Sequence, residues 1–342
     1  MRAPISLPTE QNPARTTKYD LIVSEIVSTE RGYVQALERL VDLRRLVQDQ
    51  GVLAADVVDE VFGKVNALID FQRRFLDRLE SVSLLPTEAQ DLSVVFSMLD
   101  DAADVYITYI ANHKRHLKAA IREQQKMLMA TGSADVLEQV TDHAMIHLTF
   151  QRPYSRFAKY SCFLKELLHE IQADETKFAA LQATSASYHR TLHKAGMALM
   201  EMSLNDELTK LWNRVEDWKG LQPNTFGRLV AFDTMRCQTG HHGRSERSFQ
   251  VYLFEKVLIC CKKKFYGDGS PVSLTLRLKG RIFLKNVLDF DTSSEPPYRL
   301  NVHWKSADGV EKTTILFASA GMMESWSTKM RQLWDRIPGS SS

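Results

Sequence analysis

The sequence predicts two domains of different class: an elongated all-α helical bundle, followed by a small β barrel capped by a C-terminal helix. Chain-breaking residues are unevenly distributed. Residues 17–219 contain five glycines and two prolines, as is typical of long helices, whereas the last 123 residues contain ten glycines and five prolines. Charge divides at the same place, because residues 221–342 carry 18 Lys and Arg against 11 Asp and Glu, and the rest carries 26 against 31. We therefore place the domains at 17–220 and 221–338, with tails at 1–16 and 339–342.

Composition excludes several classes of protein. With 44% apolar and 25% charged residues among 342, the chain has enough of both for a packed core and a solvated surface. Its net charge of +2 gives no reason to expect a nucleic-acid binder. The densest apolar stretch, residues 251–261, is too short to cross a bilayer, and Pro4, Pro8 and Pro13 stand where a signal peptide needs an apolar core. Four cysteines without a C-x-x-C pair favour a reduced, cytosolic protein.

The helical half shows apolar residues at spacings of three and four. Thr17, followed by Asp20, is a candidate N-cap, and a buried stripe is predicted from Ile22 to Leu40. Further helices are predicted over the remaining stretches that have this period: Ala54 to Leu79, Leu92 to Met129, Ser133 to Thr149, Tyr154 to Ala173 and Glu175 to Trp218. Several of these exceed the average globular helix of about 11 to 12 residues, which favours an elongated bundle.

The second half is rich in short β-branched and aromatic runs separated by Gly, Asp and Ser. These runs predict six strands: Phe226 to Cys237, Ser248 to Phe254, Val257 to Lys263, Leu274 to Phe283, Tyr298 to Trp304 and Thr313 to Ala318. A last helix is predicted over Met322 to Trp334. Its apolar stripe includes Trp326 and suits the open end of a small barrel, so we expect that indole to be buried.

No motif for covalent catalysis is present. The sequence lacks G-x-x-x-x-G-K-[ST], G-x-G-x-x-G, G-x-S-x-G and H-E-x-x-H. His189 and His193 lie one helical turn apart, but without a nearby third ligand we interpret them as solvated helix residues. We therefore expect no enzyme chemistry, no cofactor and no metal site.

Two segments of the helical half combine charge with a buried stripe. In the first, Glu25 lies at the edge of the stripe, where a carboxylate is held rigidly and still reaches a partner. In the second, Arg152, Arg156 and Lys159 recur beside an apolar stripe at i, i+4 and i+7. From the residues alone, solvated flanks and ion pairs between neighbouring helices explain these charges as well as a docking surface does.

At these two segments the sequence resembles the Dbl-homology domain of exchange factors for Rho-type GTPases. The run E-I-x-x-T-E-x-x-Y-V-x-x-L at residues 25–37 is similar to the family's first conserved region, and R-P-x-x-R-x-x-K-Y-x-x-x-L-K-E-L at 152–167 is similar to its third. The second half resembles the pleckstrin-homology domain that follows in this family. Residues 251–262 and 279–283 are most similar to the fungal cell-division-control members. The resemblance covers roughly residues 17 to 336.

The resemblance implies roles for individual residues. Glu25 matches the glutamate that engages switch I of the GTPase, and Lys159 matches the lysine that engages switch II. The implied GTPase-binding set is Glu25, Thr29, Glu30, Arg152, Arg156, Lys159 and His193. The sequence departs from the family pattern at three places: Ser155 and Ser161 replace its usual glutamine and proline, and His193 is the nearest candidate for a switch II asparagine or aspartate.

The implied activity is guanine nucleotide exchange without a bond-making step. A platform that binds the distorted switches better than the nucleotide-ordered ones displaces Mg²⁺ and GDP and promotes GTP loading. The implied partner is a Rho-type small GTPase, of the cell-division-control type. Two alternatives stay open: an exchange-inactive membrane or scaffold adaptor built on the same domains, and a purely structural bundle with an appended barrel.

The basic second half predicts weak contact with anionic or phosphoinositide membranes, and a cytoplasmic protein peripheral to the plasma membrane. The candidate residues lie around two predicted loops: Arg236, Arg244, Arg247, Lys262, Lys263 and Lys264. A solvated charge run, or a second contact to the GTPase, explains them equally well.

Overall fold

The fold was analysed in a computed structural model, which describes residues 17–239, 246–265, 274–293 and 295–337. The chain divides into two compact units, residues 1–201 and 202–342. The first is helical, and the second is a β sheet with a closing helix, so the predicted fold class is confirmed. No helix among the described residues is long and apolar enough to cross a membrane.

The helical unit is built from helices of very different length. They are α1 (Lys18–Asp49), α2 (Ala55–Phe62), α3 (Val65–Ser83), α4 (Leu92–Ser97), α5 (Ala103–Met127), α6 (Ala134–Leu137), α7 (His143–Glu170) and α8 (Glu175–Arg214), which continues into the second unit. Sequence periodicity alone joined α2 to α3 and α4 to α5. The chain breaks at Gly63, which has a positive φ, and in the 3₁₀ turn Met98–Asp100.

Helix α1 begins as the sequence predicts. The Thr17 hydroxyl accepts a hydrogen bond from the Asp20 backbone N–H, and the Asp20 carboxylate accepts one from the Thr17 N–H, which satisfies donors that have no intrahelical partner. The helix has 32 residues and is therefore about 48 Å long. Its first half, including Ile26, packs into one apolar cluster, and its second half, including Leu40, packs into another.

Helix α7 runs without a break through Pro153, where the sequence predicted a boundary between Thr149 and Tyr154. That prediction is wrong. Proline removes one intrahelical donor, but Phe150, Pro153 and Phe157 are all buried, and their spacing of three and four residues places them on the same side of the helix. Packing on both sides of Pro153 therefore outweighs the lost hydrogen bond.

The second unit is a seven-stranded antiparallel sheet of order β4-β3-β2-β1-β7-β6-β5. The strands are β1 (Leu229–Thr239), β2 (Arg247–Phe254), β3 (Val257–Phe265), β4 (Leu274–Phe283), β5 (Val287–Ser293), β6 (Arg299–Ser306) and β7 (Gly309–Leu316). The sequence predicted six of them and missed β5. Asp289 and Asp291 interrupt its apolar residues, and only Val287 and Phe290 of the strand are buried, so no regular alternation marks it.

Helix α9 (Ala320–Trp334) closes one core of the sheet. Met323, Trp326, Met330 and Leu333 are all buried against residues of the strands, which confirms the predicted stripe. A second apolar cluster lies on the other face of β2, β3 and β4 and includes Leu211 near the end of α8 and Val215, which directly follows it. The last turns of α8 thus belong to the core of the second unit.

Candidate functional site

Residues 25–37, the first segment that resembles the family, lie on α1, and their two glutamates are in different environments. Glu25 is exposed, and Glu30, five residues later, is fully buried. Thr29 is exposed at the residue level, yet its hydroxyl is tied down: Oγ1 donates to the Glu25 carbonyl at 2.7 Å and accepts from Arg156 Nη1 at 2.9 Å. The exposed side of α1 therefore adjoins α7.

The buried Glu30 carboxylate is the centre of a hydrogen-bond network. Arg156 on α7 donates to Glu30 Oε2 from Nε at 3.0 Å and from Nη2 at 2.5 Å. Tyr160, also on α7, donates its hydroxyl to the same oxygen at 3.0 Å, and Gln72 on α3 donates to Glu30 Oε1. Both carboxylate oxygens are thus satisfied, as a buried charge requires. Glu30 and Arg156 face each other inside the bundle, whereas the resemblance placed both at the partner surface.

Tyrosines extend this network into the core. Tyr106 donates to Gln72 Oε1 at 2.7 Å, and the hydroxyls of Tyr106 and Tyr33 lie 3.1 Å apart. Burial raises the pKa of Tyr33, Tyr106 and Tyr160 well above the ordinary value. These three tyrosines therefore keep their hydroxyl protons over the whole physiological range.

The charges of Glu30 and Arg156 depend on each other. Burial raises the pKa of Glu30, and the Arg156 guanidinium opposes that increase. Burial alone would lower the pKa of Arg156, but Tyr160 and Glu30 raise it. Removal of either partner alone should destabilise the fold, because it leaves the other as an unpaired buried charge.

Residues 152–167, the second segment that resembles the family, have exposed side chains on the side of α7 next to α1. Lys159 is exposed, and its Nζ lies 4.9 Å from the centroid of the Phe163 ring. Arg152 is half-buried, and burial, followed by repulsion from Arg39, lowers the pKa of its guanidinium. We call the strip formed by Glu25, Thr29, Arg39, Leu148, Arg152 and Lys159 the α1–α7 seam.

Two residues of the seam were missed by the sequence analysis. Arg39 is exposed on α1 and close enough to Arg152 to perturb it. Leu148 is 51% exposed, one helical turn before Arg152. The spacing of Leu148 from Arg152 and Lys159, at i, i+4 and i+11, was a signal that it shares their face. His193 is exposed on α8, and its assignment rests on the resemblance alone.

The second unit contains a basic cavity of about 370 Å³. Four cations line it: Arg247 on β2, Lys262 on β3, and Lys279 and Arg281 on β4. Glu311 also lines it, and Cys237 and Cys260 contribute to its walls. Such a cavity suits an anionic group, because four cations oppose one carboxylate.

The basic residues predicted from the sequence do not form one cluster, as far as the structure describes them. Arg247 and Lys262 line the cavity, whereas Lys263 points to the other face of β3 because side chains alternate along a strand. Arg236 Nη1 pairs with Glu246 at 3.0 Å, and Lys264 Nζ lies 4.0 Å from Glu216. Arg244 lies outside the described residues. The sequence analysis missed Lys279 and Arg281 as cavity residues. A register shift in the pairing of β3 with β4 falls at Lys279, so strand alternation alone does not indicate its face.

Comparison with known proteins identifies both parts of the chain. Residues 22–195 match the RhoGEF domain family, and residues 224–330 match a pleckstrin homology domain family. The Rho guanine nucleotide exchange factor scd1 of Schizosaccharomyces pombe is 27% identical over 332 residues, which cover 93% of this chain and 37% of that protein. Cell division control protein 24 of Saccharomyces cerevisiae is 26% identical over 251 residues, covering 73% and 29%. The chain thus spans about a third of the length of these relatives.

Solved structures show the same fold. The DH/PH domains of PDZ-RhoGEF in complex with GTP-γ-S activated RhoA match with a TM-score of 0.71 at 10% identity, over 96% of this chain and 97% of that one. A DH/PH fragment of PDZRHOGEF in complex with human RhoA matches with a TM-score of 0.72 at 10% identity, over 94% and 96%. With a RhoGEF domain match over half its length and a pleckstrin homology match behind it, the chain belongs to the RhoGEF (Dbl-homology) family, in the tandem form with a pleckstrin homology domain.

Proposed function

We propose that this chain is a guanine nucleotide exchange factor for a Rho-type small GTPase, of the cell-division-control type. One observation carries the proposal. The buried Glu30–Arg156 pair joins the two conserved segments and leaves Glu25 and Lys159 exposed on the α1–α7 seam. The RhoGEF match and the similarity to scd1 and to cell division control protein 24 support the same activity and partner. Residues 17–220 would form the exchange platform and 221–338 the pleckstrin homology domain.

The mechanism is differential binding. A Rho GTPase holds its nucleotide through phosphate and Mg²⁺ contacts that depend on ordered switch loops. If the α1–α7 seam binds the displaced switches more tightly than the ordered ones, linkage weakens the GTPase's hold on nucleotide and Mg²⁺ by the same factor. No covalent bond is made or broken in this scheme, and excess cellular GTP gives it direction.

The seam residues take different parts in this mechanism. Glu25 would draw switch I away from the nucleotide, and Lys159 would hold the displaced switch II. Arg152 and Arg39 add positive charge beside Lys159, and Leu148 offers an apolar surface among them. Thr29 and His193 would contribute further polar contacts.

The basic cavity supports a second role for the chain. We expect weak, charge-driven binding of an anionic or phosphoinositide headgroup through Arg247, Lys262, Lys279 and Arg281. Such binding would make the chain a cytoplasmic protein peripheral to the plasma membrane.

An exchange-inactive adaptor is the second candidate function. It is favoured by Ser155 and Ser161, which depart from the family pattern. Ser161 Oγ donates to the Ala158 carbonyl at 2.8 Å, so its side chain is used within α7. An adaptor would retain GTPase or membrane binding and lack catalysis.

A nucleotide-release assay decides between the two candidates. Rho-type GTPases loaded with fluorescent GDP are mixed with excess unlabelled GTP and the chain, and the fluorescence decay is recorded for each GTPase of a panel. We expect release to accelerate for at least one GTPase, most for the cell-division-control type. Binding of a GTPase without acceleration of release for any member of the panel would favour the adaptor and overturn the exchange activity.

A further inference from the structure

We propose that Arg156 and Glu30 are positioning residues for nucleotide exchange, which hold α1 in register with α7 and do not touch the GTPase. This inference rests on the proposed function and deepens it. The family resemblance assigns both residues to GTPase binding. The inference differs, because their charged groups pair with each other inside the bundle.

The Arg156 guanidinium reaches one whole turn of α1. It donates to the Ile26 carbonyl at 3.4 Å, to Thr29 Oγ1 at 2.9 Å and to Glu30 Oε2. Thr29 Oγ1 in turn donates a hydrogen bond to the Glu25 carbonyl at 2.7 Å. A chain of hydrogen bonds therefore leads from Arg156 to the backbone that carries the exposed Glu25 carboxylate.

The same guanidinium also supports the other side of the seam. Its central carbon lies 5.1 Å from the Tyr160 ring centroid and 5.2 Å from that of Phe163. The ammonium of Lys159 lies 4.9 Å from the same Phe163 ring. Both cations therefore pack on one aromatic ring. If Arg156 shifts, the Phe163 ring loses one of its contacts and holds the Lys159 ammonium less firmly.

The geometry needs the planar fork of arginine. Nε and Nη2 of Arg156 converge on Glu30 Oε2, while Nη2 also reaches the Ile26 carbonyl and Nη1 donates to Thr29 Oγ1. The point charge of a lysine cannot make these contacts together. Replacement of both members of a buried ion pair by apolar residues is often neutral or stabilising for the fold. The ion pair is thus better explained by the register it imposes than by the stability it adds.

The first experiment compares Arg156→Lys with wild type and with a control. Exchange is measured against GTPase concentration to separate kcat from KM, and melting temperature is recorded in parallel. Arg73→Lys is the matched control, because Arg73 pairs with Glu38 at 2.9 Å between α3 and α1 on the surface. We expect Arg156→Lys to lower kcat at least tenfold with KM changed less than threefold, and the control to leave both unchanged.

Coupling to Glu25 distinguishes positioning from direct contact. If Arg156 acts through the placement of Glu25, Arg156→Lys costs less than threefold in a Glu25→Asp background. Equal factors in both backgrounds would mean that Arg156 does not act through the placement of Glu25 and would overturn the proposal. A lower melting temperature with unchanged kcat would also overturn it, because the pair would then be merely structural.

A double replacement separates register from stability. Glu30→Met combined with Arg156→Met removes both charges from the core. We expect a folded protein with a melting temperature near that of wild type and a kcat still at least tenfold lower. Full exchange by this variant would overturn the inference and leave the exchange activity intact. A wild-type chain that releases nucleotide from no GTPase would instead overturn the proposed function and the inference with it.

Discussion

Arg156 and Lys159 are three residues apart on α7, and their cations lie in opposite environments. The Arg156 side chain is 8% exposed and is bonded to Glu30, whereas Lys159 is exposed and packs its ammonium over Phe163. One cation therefore belongs to the core of the helical unit, and the other is available to a partner. The two should respond to substitution in different ways.

Truncation of the exposed charges should abolish exchange without unfolding the protein. We expect Glu25→Ala and Lys159→Ala, made separately, each to lower kcat/KM by at least about 30-fold, because truncation of a buried interfacial charge costs about 2 kcal/mol or more. Surface substitutions shift stability by no more than about 0.5 kcal/mol, so melting temperature should hardly change. Nucleotide release and thermal melting test this together. A wild-type exchange rate in either variant would show that the assigned role is wrong.

Trp326 should be essential to the stability of the second unit. Its side chain is 4% exposed and packs against Phe317, with ring centroids 6.4 Å apart. Trp326→Ala should cost about 3 to 5 kcal/mol, the range for large aromatic residues removed from a core. Urea unfolding followed by the fluorescence of the remaining tryptophans measures the loss. Unfolding curves that superimpose on those of wild type would contradict the packing described for α9.

Stability should fall as pH decreases below about 6.5, in part because of His116. Burial lowers the pKa of His116, although a hydrogen bond between Nδ1 and the Glu60 carbonyl opposes this, and burial also lowers the pKa of His113. The unfolded chain then binds more protons than the folded one below about 6.5, so the free energy of unfolding rises with pH in that window.

Chemical unfolding at pH 7.5 and at pH 5.5 tests this dependence. Between these two pH values the wild type should lose more free energy of unfolding than His116→Gln does, because the variant lacks the imidazole whose pKa burial lowers. Equal losses in wild type and variant would mean that His116 does not titrate as its burial requires.

Gly63 should tolerate no side chain. Its φ is +53°, and an added Cβ would lie 2.6 Å from His116 Cε1. Gly63→Ala should therefore cost about 2 to 4 kcal/mol, the sum of left-handed strain and overpacking. Gly51→Ala is the matched control, because Gly51 also has a positive φ but an added Cβ there meets nothing within 4 Å. Similar losses of thermal stability in both variants would assign the whole effect to backbone strain.

Charge reversal in the basic cavity should weaken membrane binding. We expect Lys279→Glu with Arg281→Glu to reduce co-sedimentation with anionic vesicles at least about tenfold, since each basic residue near such a surface contributes about 1 kcal/mol. Lys285→Glu with Lys305→Glu carries the same charge change at exposed residues that do not line the cavity. Equal losses in both double variants would indicate a diffuse charge effect.

Salt provides a second readout of the same prediction. Wild-type binding should fall steeply between about 0.1 M and 1 M salt, as the Debye length shrinks from about 10 Å to about 3 Å. Binding that persists at high salt, or that is equal on neutral vesicles, would contradict a charge-driven contact.

Local sequence signals predicted those parts of the fold that depend on local physics. Thr17 and Asp20 marked the start of α1 because capping needs only neighbouring residues, and the spacing of Met323 and Trp326 marked the buried side of α9. The break predicted at Pro153 failed because packing on both sides of the proline kept α7 continuous. Strand β5 was missed because Asp289 and Asp291 interrupt its apolar residues.

The site was harder to predict because its geometry is not local. The sequence placed Arg152, Arg156 and Lys159 along one helix, but it did not indicate which of them turns inward. Arg156 is buried because Glu30 lies opposite it, and Gln72, from a helix without a recognisable motif, completes the network. Only the packing of α1, α3 and α7 separates the positioning residues from the exposed ones.

Turnover is the most direct test of the central claim, that the chain catalyses nucleotide exchange. A Rho-type GTPase of the cell-division-control type, loaded with fluorescent GDP, is incubated with one part of the chain to about one hundred parts of GTPase and with excess unlabelled nucleotide. The account predicts that all of the GTPase exchanges, at a rate proportional to the amount of chain, and that the final equilibrium is the same as without it. Release limited to about one GTPase per chain, or no acceleration at all, would contradict catalysis.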